Sequence, residues 1–340
     1  MSRTIIIAEA GVNHNGDINI AKRLIDVAAD AGVDYVKFQT FKADRLVSPL
    51  AQKAKYQIEN DTSICDSQLN MLKKLELSDA DHKDLISYCK LKNINFFSTA
   101  FDEEGISYLS SLNFNMFKIP SGELTNYPYL RAIGKSNLPV ILSTGMANLD
   151  EIEKAINVLI FHGAKKNEIT VLHCNTEYPT PMTDVNLKAI LTIKDKLGVS
   201  IGYSDHTLGI EVPIAAVAIG AKVIEKHFTL DRNLKGPDHK ASLEPNELKE
   251  MVNAIRNIEK AMSGNGMKEP SLSEKKNIYI ARKSIHLSKD LPSGSIITEK
   301  DIISLRPGDG ICPMNWMDII GKRVNKDLKK FTKLTLNDLT

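Results

Sequence analysis

Two short clusters carry the densest chemistry in this 340-residue chain: Ser204-Asp205-His206-Thr207 and Glu225-Lys226-His227-Phe228. A neutral imidazole can ligate a divalent cation, and two that converge can hold one ion between them. Each cluster ends a short β-branched run, Ser200–Tyr203 (SIGY) in one case and Lys222–Ile224 (KVI) in the other. Between them lies Ile210–Ala221, apolar, Ala-rich and of helical composition. The order is strand, helix, strand, with a histidine at the carboxyl end of each strand. Parallel neighbours in a sheet lie about 4.8 Å apart, so His206 and His227 can meet at one metal. The competing reading is a pair of hydrogen-bonded core histidines.

Lys37 and Lys118 stand inside apolar strands. Lysine is almost never fully buried without a partner. They are either internal Lys–Glu pairs or two cations facing an anionic ligand, with serine and threonine hydroxyls as further donors. No Walker or dinucleotide glycine motif is present, so the anion is expected to be a small phosphorylated or carboxylated molecule. Beside it, a divalent ion on the two histidines would act as a Lewis acid on a carbonyl. Glu9 and Glu123 suit general acid–base work or the binding of sugar hydroxyls.

The elements that must position these groups repeat along the chain. Eight short apolar runs end in polar or small residues: Thr4–Ala8, Tyr35–Phe38, Phe96–Phe97, Met116–Ile119, Val140–Leu142, Ile169–Leu172 and the two histidine-bearing runs. Segments of helical period separate them, at Ile18–Ala31, Asp79–Lys92, Glu103–Leu112, Asn148–His162, Asn186–Lys196 and Glu247–Met262. Alternating βα units imply a parallel sheet with helical crossovers. Eight of them in roughly 260 residues match a TIM (β/α)8 barrel, with a doubly wound open sheet as the alternative. In a barrel the strand ends form one face and chemistry sits there. Residues Lys42–Leu75, with Tyr56, Gln57 and Gln68, break the rhythm and read as a lid or substrate-contacting insertion.

Formal net charge is +2, which gives nucleic-acid binding no electrostatic support, and the basic stretch Lys322–Lys333 reads as a solvated face. The four cysteines, Cys65, Cys89, Cys174 and Cys312, have no CxxC spacing. With no signal-peptide pattern and no apolar run near the ~18 residues of a membrane span, the expectation is a cytoplasmic protein without membrane association. The expected domains are a catalytic barrel over 1–263, a Gly/Ser/Pro-rich linker over 264–280 and a small domain over 281–340.

Eight ordered strings carry a resemblance. They are Ala8–Gly16 (AEAGVNHNG), Val36–Thr40 (VKFQT), Lys118–Glu123 (KIPSGE), Leu142–Met146 (LSTGM), His173–Pro181 (HCNTEYPTP), Gly202–Thr207 (GYSDHT), Glu225–Thr229 (EKHFT) and Gly236–His239 (GPDH). Together they resemble the bacterial sialic acid synthases, with a C-terminal antifreeze-like (SAF) domain matched by Ala281–Ile285 and Arg306–Gly308.

The resemblance implies condensation of phosphoenolpyruvate with an N-acetylated mannose-type sugar, assisted by Mn2+ or Mg2+. Carried over, His206 and His227 hold the metal, which polarises the open-chain aldehyde. Lys37, Thr99, Lys118, Ser121, Ser143 and Ser204 bind phosphoenolpyruvate, while Gln39, Glu123, Tyr178 and Asp238 face the sugar, with Asn175 or Thr176 beside them. Glu9 handles the water that attacks C2. It further implies a domain-swapped homodimer in which Arg306 meets the N-acetyl group. Tyr178–Pro181 leans towards N-acetylmannosamine and N-acetylneuraminate as substrate and product. The alternative is 2,4-diacetamido-2,4,6-trideoxymannose giving N,N'-diacetyllegionaminate. A metal-dependent aldolase without phosphoenolpyruvate and a non-catalytic carbohydrate-binding protein stand further off.

Overall fold

A computed structural model describes residues 3–53, 58 and 67–340. Tyr56, Gln57 and Cys65 lie outside the described residues. The chain divides into two compact units, residues 1–263 and 264–340.

The first unit is a TIM barrel. Its eight parallel strands are β1 (Ile5–Gly11), β2 (Tyr35–Thr40), β3 (Asn95–Ala100), β4 (Phe117–Ile119), β5 (Val140–Ser143), β6 (Ile169–Cys174), β7 (Ser200–Asp205) and β8 (Val223–His227). They pair in the order β3-β2-β1-β8-β7-β6-β5-β4. The two ends of that order, β3 and β4, lie side by side and bring the sheet close to a full circle. Most strands run one to three residues past the apolar runs seen in the sequence, so much of the site's polar chemistry belongs to the strands themselves.

The period-2 geometry of a strand explains this. Inside the barrel, Ile7, Phe97, Ile141, Leu172 and Val223 form a closed apolar cluster, with Tyr35 and Met116 packed against it. Two residues further along each strand the same inward face presents Glu9, Thr99, Ser143, Cys174, Glu225, Lys37 and Lys118. An apolar layer is thus the floor and a polar layer the site above it. On β7 the floor position is Gly202, where an added Cβ would stand 2.4 Å from both Leu172 Cδ2 and the Val223 carbonyl. Only glycine lets β7 sit this close to its neighbours.

Helices cover the outer face. Asp17 caps the helix Ile18–Ala31, and Gly32 closes it in the left-handed conformation. Asn148 and Glu151 form a capping box on Leu149–Phe161, whose Ile152, Ala155, Ile156 and Leu159 are buried. Sequence periodicity missed Tyr127–Lys135, a short crossover helix with Pro in its first turn. It also missed Ala43–Leu46 and Gln68–Lys73 inside the insertion. Elements of four and six residues are too short to show a helical period.

In the second unit, residues 264–280, read as a linker, include most of the helix Leu272–Ala281. Beyond it, β9 (Ser284–Leu287) and β10 (Ile302–Leu305) pair antiparallel around a small core of Ile285, Leu287, Ile297, Ile302, Val324 and Leu334. This unit has an internal repeat. Leu291 and Leu328 exchange backbone hydrogen bonds of 2.8 and 2.9 Å. On either side of that pair the contacts recur. Capping boxes Thr298–Asp301 and Thr335–Asp338 match. So do the ion pairs Lys289–Asp301 at 2.6 Å and Lys326–Asp338 at 2.7 Å. Left-handed Gly294 and Phe331 occupy equivalent places.

Candidate active site

The carboxyl ends of the barrel strands surround a cavity of about 440 Å³. Its base is a cluster of two lysines and two glutamates. Lys37 Nζ lies 2.8 Å from Glu9 Oε2 and 3.8 Å from Glu225 Oε2, and donates to Thr99 Oγ1 at 3.0 Å. Lys118 Nζ donates to Glu225 Oε1 at 3.1 Å, which also accepts from Ser204 Oγ at 3.3 Å. Gln39 Nε2 donates to Glu9 Oε1 at 3.3 Å. The two readings of Lys37 and Lys118 therefore coincide: each is paired with a glutamate, and each lines the cavity.

The four charges differ in character. Burial raises the Glu9 carboxyl, and the nearby lysines do not fully offset it. Burial acts the same way on Glu225, but Lys118 and Lys37 outweigh it and hold that carboxyl below its usual value. Burial lowers Lys118. For Lys37 the same burial is overcome by Glu225 and Glu9, which hold it charged.

His206 and His227 meet at the ends of β7 and β8, with ring centroids 5.4 Å apart. His206 Nδ1 faces the Asn175 carbonyl. A carbonyl can only accept, so Nδ1 carries the proton and Nε2 presents its lone pair. The Tyr178 hydroxyl donates to that Nε2 at 2.9 Å, a bond that a metal on Nε2 would replace, and its ring stacks on the imidazole. Burial lowers His206 to about 4 and His227 well below its ordinary value, so both rings are neutral, the form a metal needs. His227 Nδ1 is buried without a hydrogen-bond partner among the described residues and lies 3.7 Å from Asp238 Oδ2. Burial raises Asp238 to about 7. Two neutral imidazoles, one with an orphaned nitrogen beside a carboxyl, fit a divalent cation. Among the described residues no group of three or more His, Cys, Asp or Glu side chains is placed to hold a metal, so such an ion would rest on the two imidazoles.

Behind the histidines lies a second ion pair. Asp205 and Lys226 alternate with the inward-facing residues and so lie on the outer face of the sheet, where Lys226 Nζ also donates to the Thr207 carbonyl.

Of the residues singled out in the sequence, Glu9, Lys37, Gln39, Thr99, Lys118, Ser121, Ser143, Thr176, Tyr178, Ser204, His206, His227 and Asp238 line the one cavity. Two residues of the barrel unit do not. Glu123 is held by the Asn126 amide at 2.6 Å in a 3-10 turn and is not part of the lining. Asn175 turns its side chain back on its own loop, accepting from the Glu177 amide at 2.8 Å. It braces His206 through its carbonyl, and its neighbour Thr176 reaches the cavity. Arg306 belongs to the second unit, where its Nε donates to the Ala281 carbonyl at 3.0 Å. Sequence reasoning passed over Glu225 as a site residue. Its signal was its place two residues before His227, on the same face of the strand. Among the described residues no helix is long and apolar enough to cross a membrane.

The NeuB family profile matches residues 24–268, and that of the SAF domain matches residues 282–340. N,N'-diacetyllegionaminic acid synthase of Campylobacter jejuni is 55% identical over 330 residues, 97% of this chain and 98% of that protein. The protein of the same name from Legionella pneumophila is 47% identical over 331 residues, 97% of this chain and 92% of its own. Among solved structures, N-acetylneuraminic acid (sialic acid) synthetase from Leptospira borgpetersenii, in complex with citrate, is similar with a TM-score of 0.72. It is 38% identical and covers 82% of this chain and 90% of its own.

Proposed function

The chain belongs to the NeuB family and carries a C-terminal SAF domain, and from that premise we propose that it condenses phosphoenolpyruvate with 2,4-diacetamido-2,4,6-trideoxymannose to give N,N'-diacetyllegionaminate and phosphate. The observation that carries the choice of sugar is the ranking of relatives. Those named for diacetyllegionaminic acid stand at 55% and 47% identity, and the neuraminic acid synthetase stands at 38%. The expectation of N-acetylmannosamine, drawn from Tyr178–Pro181, gives way. That loop braces His206, so it serves the reacting aldehyde, which both sugars share.

Lys37 and Lys118 bind the phosphate and carboxylate of phosphoenolpyruvate, with Thr99, Ser121, Ser143 and Ser204 as hydroxyl donors. Exchanging glutamate partners for substrate oxygens keeps both ammonium groups paired in the buried site. C3 of the enol forms a bond to the sugar aldehyde carbon, and the aldehyde oxygen takes up a proton. The cationic character left at C2 is stabilised by the carboxylate of Glu225, which lies between the two lysines. Water then bonds to C2, passing one proton to Glu9; as the C2–O bond to phosphate breaks, the C2 hydroxyl becomes the keto group and its remaining proton leaves with the phosphate. His206 and His227 would hold a divalent ion, and imidazole donors favour Mn2+ over Mg2+, which prefers oxygen ligands. When bound, that ion supplies Lewis-acid polarisation of the aldehyde oxygen. Gln39, Tyr178 and Asp238 hold the sugar. A homodimer, with Arg306 supplied by a second copy, belongs to the same proposal.

The test is phosphate release from phosphoenolpyruvate with Mn2+, offering the diacetamido-trideoxy sugar and N-acetylmannosamine in parallel. The expected result is a higher kcat/KM for the first. A higher value for N-acetylmannosamine would return the neuraminate reading, and no release with either would remove the synthase reading. Scattering mass in solution checks the dimer.

A further inference from the structure

Five apolar side chains of the cavity lining lie together as a wall. Val12 follows β1, Phe101 follows β3, and Met71, Leu72 and Leu75 belong to the helix Gln68–Lys73 and its exit, within the insertion after β2. Val12, Met71 and Leu75 are buried in a separate hydrophobic cluster with Phe41, against which Leu72 and Phe101 pack. On the β7–β8 side the lining is instead Ser204, His206, Glu225 and His227.

The wall is fixed in place. Gly16 approaches the Lys74 carbonyl so closely that a Cβ there would come within 2.3 Å. The Ala43 amide donates to Glu76 Oε1 at 2.7 Å, and Lys73 pairs with Asp44 at 2.9 Å. These contacts tie the C-terminal end of the helix Gln68–Lys73 to the barrel rim and to the segment after β2.

We propose that Val12, Met71, Leu72, Leu75 and Phe101 select the sugar by receiving its methyl groups, the deoxy C6 and the acetamido methyl at C4. The inference rests on the legionaminate reading above and adds to it the side of the pocket that reads the substrate. The two ends of the cavity have different demands. The charged base takes the phosphate and carboxylate, and the histidine side takes the aldehyde. The rest of the sugar is left to the remaining lining, where these five described side chains offer dispersion and no side-chain hydrogen bond. A methyl group gains there by leaving water. A hydroxyl at the same place loses its water partners and finds none in return. An apolar pocket of this kind discriminates between such isosteres by about 10- to 100-fold.

The experiment compares two sugars that differ at one carbon: 2,4-diacetamido-2,4,6-trideoxymannose and its 6-hydroxy counterpart. Wild-type enzyme is expected to favour the 6-deoxy sugar in kcat/KM by about tenfold or more. Leu72→Asn places an amide on the wall at a half-buried position that tolerates polarity. It should lower that ratio about fivefold or more while leaving KM for phosphoenolpyruvate unchanged, and Leu72→Met should restore it. If Leu72→Asn fails to fold by its melting curve, Leu72→Thr gives the same reading with a smaller change. An unmoved ratio in a folded polar variant, with wild-type turnover intact, overturns the wall. Absence of turnover with either diacetamido sugar in wild-type enzyme overturns the legionaminate reading, and the wall with it.

Discussion

Lys226 Nζ lies 2.5 Å from Asp205 Oδ2, and neither side chain has any solvent exposure. Each is the immediate neighbour of a histidine in the candidate metal pair. Asp205 Oδ1 accepts from the Thr207 amide at 3.0 Å and from the Thr207 hydroxyl at 2.8 Å. The pair therefore ties the turn that carries His206 to the strand that carries His227. Strand alternation puts the ion pair outside the barrel and the imidazoles inside, so a contact that touches no substrate sets the spacing of two that would.

Breaking one side of that pair leaves a buried charge alone. Lys226→Met is expected to cost about 3–5 kcal/mol of stability, read as a fall in denaturation midpoint. Adding Asp205→Leu should return much of the loss, because an apolar pair of similar volume is often neutral in such places. A double variant as unstable as the single one would mean that the hydrogen bonds of Asp205 to Thr207, rather than the charge balance, dominate.

His206→Ala and His227→Ala should each abolish metal-dependent phosphate release while the melting transition persists. Binding is checked apart from turnover. At Mn2+ one hundred times its dissociation constant, wild-type protein should gain about 2.7 kcal/mol of stability, seen as a shift in Tm that a chelator reverses. Either variant retaining both the shift and full activity would remove the histidines from the metal site.

Lys118→Met deletes the cation that Glu225 Oε1 accepts from. The expected loss is about 10²-fold or more in kcat/KM for phosphoenolpyruvate, the scale found when one preorganised donor is removed. Steady-state kinetics with phosphoenolpyruvate varied at saturating sugar measures it. A change in the KM for sugar with that for phosphoenolpyruvate unaltered would put Lys118 at the wrong end of the cavity.

The repeated capping boxes predict an acid-sensitive second unit. Burial acts to raise the Asp301 carboxyl, but Lys289 and Thr298 outweigh it and hold it below 3.8. Lys326 and Thr335 do the same for Asp338. A carboxyl depressed in the folded state adds stability that is present above its unfolded value, near 3.8, and is lost as pH falls through the lower folded value. Melting of this unit should weaken as pH drops below about 4. Asp301→Asn and Asp338→Asn should each cost about 1–3 kcal/mol at neutral pH and flatten that dependence. Equal costs at the two positions are expected from the matched contacts, and a large difference would show that the repeat is not energetic.

Local pattern and tertiary structure divided the information in a definite way. Short continuous apolar runs and 3.6-period segments placed all eight strands and most of the helices, because parallel strands covered on both faces read as unbroken apolar stretches and the helical period is a property of the backbone itself. The histidines at the ends of β7 and β8, and Lys37 and Lys118 inside β2 and β4, were legible for the same reason: a polar group within an apolar run stands out. What needed the closed barrel was everything that depends on register between distant strands. The placing of Glu225 between Lys37 and Lys118 joins β8 to β2 and β4, and no spacing along the chain records it. Glu123 and Asn175 sit beside site residues in sequence, yet a 3-10 turn and a backbone-braced loop keep both side chains off the cavity. The apolar wall is likewise a product of packing. It assembles from the ends of β1 and β3 and a six-residue helix too short to announce itself, and it faces the pocket because Gly16 lets the chain approach Lys74 that closely.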